Sequence, residues 1–163
     1  MPNMEEIKQF RNPFPTTDVI IEYDNGIKKG IVLIERKNPP YGLALPGGFA
    51  EYGISLADNV RKEAREETGL ELIIHENEDE PFCVKSNPDR DPRAHMISVA
   101  YTAKGYGNLK AGDDAKRVYL LTHDEIKQLI QQKKIVFDHS DILNKYFARY
   151  NHQQSSQIMR EKI

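Results

Sequence analysis

The stretch from Gly48 to Leu70, GFAEYGISLADNVRKEAREETGL, constrains this chain more than any other. Ser55 with Asp58 three residues on has a capping-box arrangement, and Gly69 stands where a left-handed residue ends a helix, so the spacing predicts a helix over about residues 56–67. Such a helix has three faces. Ala57, Val60 and Ala64 form an apolar stripe, Asp58, Arg61 and Arg65 point to water, and Glu63, Glu66 and Glu67 fill a third sector beside the stripe. Carboxylates one turn apart repel by ~0.2–0.5 kcal/mol per pair in water, and more where solvent is excluded. A multivalent cation bound by oxygen ligands is the natural compensation. Just upstream, Gly47 and Gly48 permit a close approach of the backbone to another group.

Around this helix the chain alternates. DVIIEY and IKKGIVLIER are rich in β-branched residues and are joined through Asp24, Asn25 and Gly26, which predicts an antiparallel hairpin. KNPPYG, with two consecutive prolines, is irregular and leads into LALPGGF. After the helix, LELIIHE, PFCVKS and HMISVAYTAK read as strands, the last alternating at Ile97, Val99 and Tyr101. KRVYLL is a further short strand. One helix starts near His123 or Asp124 with Ile126, Leu129 and Ile130 as its apolar face; a second starts at Asp138, whose side chain is placed to cap it, and carries Ile142, Leu143, Tyr146 and Phe147. The pattern predicts one mixed-sheet α/β (α+β) domain over residues 1–163, sandwiched between helices, with a polar extended arm at 1–17 and an unanchored flexible tail at 151–163.

Composition excludes several functions. The 163 residues are 39% hydrophobic and 29% charged, with acids and bases interspersed to a net charge of −2, so there is no basic footprint for nucleic acid. The longest apolar runs fall far short of the ~20 residues a membrane-spanning helix needs. MPNMEEIKQF does not read as a signal peptide, and the lone Cys83, in a strand-like run, reads as a buried small hydrophobe that fits a reducing cytoplasm.

A glycine-rich turn running into a helix with a carboxylate cluster suits a phosphate group with bridging divalent ions. The segment resembles the box of the Nudix family: G, five residues, E, seven residues, then R-E-U-x-E-E-x-G-U, where U is aliphatic. Gly48, Glu63, Ala64, Glu66, Glu67, Gly69 and Leu70 take their places in that order and spacing. Two positions depart, Ile54 where the family has Glu and Lys62 where it has Arg; Glu51 and Arg61 lie nearby but out of register. Lysine keeps the charge of arginine but loses its planar fork. Outside the box, RKNPPYGLALPGGFAEYG, NPDRDPRAH, KAGDDAK and VFDHSDIL resemble the ADP-ribose pyrophosphatase branch, with Ala94, Arg117 and Leu120 departing from it.

The resemblance implies an α/β/α sandwich that hydrolyses a nucleoside diphosphate linked to another group, such as ADP-ribose to AMP and ribose 5-phosphate, using Mg²⁺ or, in substitution, Mn²⁺. By the same analogy Glu63, Glu66, Glu67 and the Gly48 carbonyl hold the metal, Lys62 stands in for the arginine that orients a catalytic glutamate, and Glu63 or an acid of the Asp113–Asp114 loop is the general base. Arg36, Gly47, Arg93, Asp113 and Asp114 become substrate contacts, and a homodimer is expected. Sister substrates (an oxidised nucleoside triphosphate, a nucleotide sugar, a dinucleoside polyphosphate) remain open, as does a weakly active nucleotide-binding regulatory module, which Ile54 and Lys62 motivate. Each feature also has a plainer reading. A charge run is usually a solvated face, paired glycines a turn, loop arginines and aspartates surface residues, and His95 and His139 structural.

Overall fold

The β-branched runs flanking Asn25 pair as an antiparallel hairpin in the computed structural model, which describes residues 11–75, 77–112 and 115–160. Strand β1 spans Phe14–Asp24 and β2 Lys29–Arg36, with Asp24 opposite Lys29 and Ile21 opposite Val32. The turn is built by side chains. The Asp24 carboxylate accepts from the Gly26 N–H at 2.8 Å, and the Asn25 side-chain oxygen accepts from the N–H groups of Ile27 and Lys28 at 3.0 and 2.7 Å.

The remaining strands are β3 (Leu43–Ala44), β4 (Gly47–Phe49), β5 (Glu71–Ile74), β6 (Cys83–Lys85), β7 (Met96–Tyr106) and β8 (Ala115–Leu121). They join β1 and β2 in one mixed sheet. Strand β1 runs parallel to β7 from Phe14 opposite Met96 to Glu22 opposite Lys104, and also pairs β4 through Thr16–Asp18. Strand β2 pairs β8 and β3, while β5 and β6 both pair β7. The two short strands β3 and β4 carry the LALPGGF segment, where sequence periodicity is too brief to signal a strand.

Among the described residues three helices cover the sheet: α1 (Leu56–Thr68), α2 (His123–Gln131) and α3 (His139–Arg160). The apolar stripe of α1, Val60 and Ala64, packs with Val19, Ile21, Val99 and Tyr101 on one face. Ile126 of α2 and Ile142, Leu143, Tyr146 and Phe147 of α3 pack with Ile20, Leu33 and Ala100 on the other. The chain is therefore a three-layer α/β/α sandwich. Its central strands are buried on both faces, so the alternation at Val99 and Tyr101 picks out only the α1 side, while Ser98, Ala100 and Thr102 between them are buried too. Cys83 is buried, and burial raises its thiol pKa. Among the described residues no helix is long and apolar enough to cross a membrane.

Three expectations need correction. Residues 14–17, assigned to an extended arm, belong to β1: Thr17 is buried, and Pro15, which has no N–H to give, still accepts from the Ala50 N–H at 3.0 Å. Residues 151–160 continue α3, since no glycine or proline follows Asp138 to break it. Residues 1–10 of the arm and 161–163 of the tail lie outside the described residues. Asp138 does not spend its carboxylate on the helix end. It accepts three hydrogen bonds from the buried Arg90, at 3.1, 3.1 and 2.6 Å, which anchors the loop before β7 to the start of α3.

Breaking that pair from one side strands a buried charge. Arg90→Met is expected to cost about 3–5 kcal/mol in urea unfolding, and the double change Arg90→Met/Asp138→Leu markedly less, because it leaves no uncompensated partner.

Candidate functional site

The site begins with how α1 is set against the sheet. Ser55 caps the helix by accepting from the Asp58 N–H at 3.1 Å, and Gly69, at φ 71°, ends it. Asn59, fully buried, donates to Thr17 Oγ1 at 2.8 Å and to the Phe49 carbonyl at 3.1 Å, and accepts from the Glu51 N–H at 3.0 Å. One side chain thereby ties α1 to β1, β4 and the loop between β4 and the helix.

This orientation brings α1 onto the glycine pair. The Gly47 N–H donates to Glu67 Oε2 at 2.8 Å. A Cβ added at Gly48 would stand 2.5 Å from Glu63 Oε2, so the Glu63 carboxylate lies where any other residue would put its side chain. Gly47, at φ 153°, is backed by β1, and a Cβ there would overlap the Thr17 carbonyl oxygen. Glu67 is 7% exposed, and its pKa is pushed up to about 8. Burial is the largest cause and the charges of Glu63 and Asp18 add to it, while the Gly47 N–H and Arg36 oppose it.

Glu66 goes elsewhere. It accepts from Lys62 at 2.8 Å on the exposed side of the helix, and Lys62 also pairs with Glu51 at 3.0 Å. Those hydrogen bonds, Glu66 first, raise the Lys62 pKa. Glu51, out of register with the box, is thus a partner of Lys62 in space, while Ile54 is exposed. Among the described residues no three acidic, His or Cys side chains converge in a ready-made metal cage. The oxygen donors of Glu67 and Glu63 nonetheless suit a hard divalent cation, which would offset the burial and like charge that disfavour the ionised Glu67.

Beside the glycines lies a cavity of about 90 Å³ lined by Asp18, Arg36, Gly47, Gly48, Arg93 and Phe137, among others. Its cationic wall is an arginine pair set about one ring. Arg36 lies 5.0 Å and Arg93 5.2 Å from the centroid of Phe137, a residue held at φ 57°. Arg36 donates to the carbonyls of Pro40 and Pro39 at 3.0 and 3.4 Å, and its pKa is lowered by burial and then by Arg93. Arg93 is fixed by Asp91, donating from Nε at 3.0 Å and from Nη2 at 2.7 Å, and reaches toward the exposed Phe49 ring at 5.9 Å.

Beneath them, Asp18 accepts from Ser98 and stands 3.4 Å from His139 Nε2, while His139 Nδ1 accepts from the Leu45 N–H at 3.0 Å. That acceptor role leaves Nε2 to carry the ring proton toward Asp18. Burial would raise the Asp18 pKa, but His139, Ser98 and Arg90 outweigh it and hold the carboxyl below its ordinary value.

The family model for the NUDIX domain matches residues 13–146. The chain belongs to the Nudix family. It is 39% identical over 152 residues to an ADP-ribose pyrophosphatase of Methanocaldococcus jannaschii, covering 91% of this chain and 82% of that protein. It is 33% identical to an ADPR-responsive transcriptional repressor, NtrR, of Acinetobacter baylyi, covering 87% of this chain but 56% of the repressor, so it spans about half that relative's length. Among solved structures, a bifunctional NMN adenylyltransferase/ADP ribose pyrophosphatase from Francisella tularensis, complexed with AMP and a Mn ion, superposes with a TM-score of 0.69 at 26% identity, over 86% of this chain and 43% of that one. Nudix hydrolases use divalent metals, in keeping with the donor set here.

Of the residues singled out in the sequence, Gly47, Gly48, Glu63, Glu67, Arg36 and Arg93 come together. Glu66 and Lys62 pair with each other a turn away. Asp113 and Asp114 lie outside the described residues, although the loop leading to them is tied to the end of α1, Lys110 N–H donating to the Thr68 carbonyl at 2.9 Å and Gly112 N–H to that of Glu67 at 3.0 Å. Sequence reasoning missed Asp18, Arg90, Asp91 and Phe137. Phe137 and the two loop residues sit inside quoted family landmarks, but Asp18 has no local signal beyond being an acid at the head of an apolar run.

The two glycines differ in what crowds them. Gly47→Ala meets β1 backbone and is expected to cost at least ~2 kcal/mol in urea unfolding. Gly48→Ala meets a movable carboxylate and is expected to remain within about 1 kcal/mol of the parent.

Proposed function

We propose that this protein hydrolyses the diphosphate link of a nucleoside diphosphate derivative, converting ADP-ribose to AMP and ribose 5-phosphate. The observation that carries the reading is the juxtaposition of an arginine pair lining one small cavity with a carboxylate pair seated on the glycine backbone of that cavity's wall. A diphosphate needs cations on its oxygens, and the water that attacks phosphorus needs a base, so both halves of the chemistry have donors here.

The residues divide the work as follows. Arg36 and Arg93 bind the diphosphate oxygens; a guanidinium matches them in two-point contact, and Phe137 spaces the two cations against their own repulsion. Gly47 and Gly48 let β1 and the carboxylates of α1 approach the backbone of the cavity wall. Glu63, Glu67 and the Gly48 carbonyl would hold Mg²⁺, with Mn²⁺ as a substitute, and Glu66 would join them by exchanging Lys62 for the ion, which supplies charge neutralisation and a bound water of lowered pKa. A carboxylate, Glu63 or one of the Asp113–Asp114 pair, takes the proton of the attacking water while the second phosphate leaves with the electrons of the broken P–O bond. Lys62 steadies Glu66 and is itself held by Glu51. The buried Cys83 thiol fits a reducing cytoplasm, and a homodimer completes the reading.

With Mg²⁺ present, ADP-ribose is expected to yield AMP by chromatography, and Glu67→Gln or Glu66→Gln to lower kcat by roughly 10²–10⁴-fold. Turnover of another nucleotide in its place would move the substrate assignment. Tight ADP-ribose binding with no product in any panel member would instead favour the regulatory module that the A. baylyi relative represents.

Because Glu51 already pairs with Lys62, Ile54→Glu is expected to change kcat by less than about threefold, whereas Glu51→Ala lowers it roughly tenfold. A large gain from Ile54→Glu would mean that the altered box is impaired.

A further inference from the structure

The two arginines at the cavity are held along the same edge by different chemistry. A guanidinium carries its N–H groups in a planar fork, and the Nε–Nη2 edge offers two of them side by side. Arg36 sets that edge against two main-chain carbonyls, Nε on Pro40 at 3.0 Å and Nη2 on Pro39 at 3.4 Å. Arg93 sets it against the Asp91 carboxylate, Nε on Oδ1 at 3.0 Å and Nη2 on Oδ2 at 2.7 Å. The carbonyls are neutral, whereas Asp91 brings a full charge. Burial and then Arg93 lower the Arg36 pKa, while that of Arg93 is raised, first by its hydrogen bonds to Asp91.

The local sequence builds the Asp91 contact. Pro92 stands between the partners, and its ring fixes the backbone there. The Arg93 N–H also donates to Asp91 Oδ1, at 3.0 Å, so the carboxylate closes a turn over its own backbone and takes the side chain as well. The residue before it, Arg90, is buried against Asp138 just ahead of α3, which anchors the turn. The Asp91 side chain is 3% exposed and that of Arg93 38%, so a ligand in the cavity meets the arginine and feels the carboxylate through it. Burial pushes the Asp91 carboxyl up, but the hydrogen bonds and charge of Arg93, with the charge of Arg90, hold it below its ordinary value.

We infer that Asp91 is a positioning residue for the diphosphate: it holds Arg93 by the Nε–Nη2 edge, so that the opposite edge, with Nη1, is presented to phosphate oxygens. This role rests on the reading of the cavity as the diphosphate site. Charge and position make opposite demands here. A carboxylate beside an anion site repels the anion, so on charge alone its removal tightens binding. As the hold on a long side chain its removal weakens binding, because each ligand then has to order the guanidinium itself.

The test is calorimetric binding of α,β-methylene-ADP, whose P–C–P bridge is not hydrolysed, to the full chain with Mg²⁺ at fixed salt. Asp91→Asn keeps the size and one acceptor but loses the charge and the two-point hold, and is expected to weaken binding roughly tenfold. In an Arg93→Ala background the same change is expected to weaken it no further, since no guanidinium is left to hold. Arg93→Lys keeps the cation and leaves Asp91 in place; lysine has no fork to be held, so its affinity is expected to fall near that of Arg93→Ala. Unchanged or tighter binding by Asp91→Asn, or an equal loss in the Arg93→Ala background, would overturn the role. So would parental affinity in Arg93→Lys, which decides the matter even where Asp91→Asn does not fold. An unaltered protein that binds no probe would overturn the diphosphate site and the role of Asp91 together. Absence of ADP-ribose turnover with the Asp91 effect intact would sink the proposed activity alone.

Discussion

The close approach of helix α1 to a two-glycine strand is the contact on which the rest of this molecule depends. Any Cβ at Gly47 would overlap β1 backbone, and one at Gly48 would displace the Glu63 carboxylate. Because neither glycine has a side chain, the backbone of β4 is sandwiched between β1 and the carboxylates of α1. Asn59 then locks the arrangement with every one of its described polar contacts satisfied.

The electrostatics follow from that packing. Glu67 is forced out of water beside Glu63 and Asp18, and its ionised form is disfavoured by on the order of 4–5 kcal/mol relative to a solvated carboxylate. Across the cavity, Arg36 and Arg93 are concentrated in one place, and Phe137 and Asp91 offset part of their repulsion. A folded chain keeps like charges so arranged at a cost to stability, and a ligand of opposite sign on each side removes it. The paired Arg90 and Asp138, and Asp18 with His139 and Ser98, form the rigid backing that keeps both halves in place.

Much of this was legible in the residues. The hairpin, the capped helix with its apolar stripe, the two closing helices and the α/β/α layering all follow from local patterns of period 2 and 3.6 with capping and turn residues at their ends. The extent of β1 was not, because Pro15 looks like a breaker until its carbonyl is seen in use, and neither were β3 and β4, two and three residues long. Asp138 looked like a helix cap because nothing in its neighbourhood reveals Arg90, 48 residues away in the chain. Asp18, Asp91 and Phe137 contribute to the cavity through contacts that join separate elements, and such contacts leave no periodic trace.

The glutamate spacing, the glycines and the helix boundaries were determined by the sequence alone, since each is a rule about residues within one or two turns of each other. Which glutamates lie on the glycine backbone was decided only by the tertiary structure. Glu63 and Glu67 are drawn to the glycine backbone by the placement of α1, while Glu66, one turn round, is taken by Lys62. The same is true of the altered box. Counting along the chain shows Ile54 and Lys62 as losses, and only the fold shows Glu51 standing 3.0 Å from Lys62, because the loop between β4 and α1 brings an out-of-register residue back beside the helix.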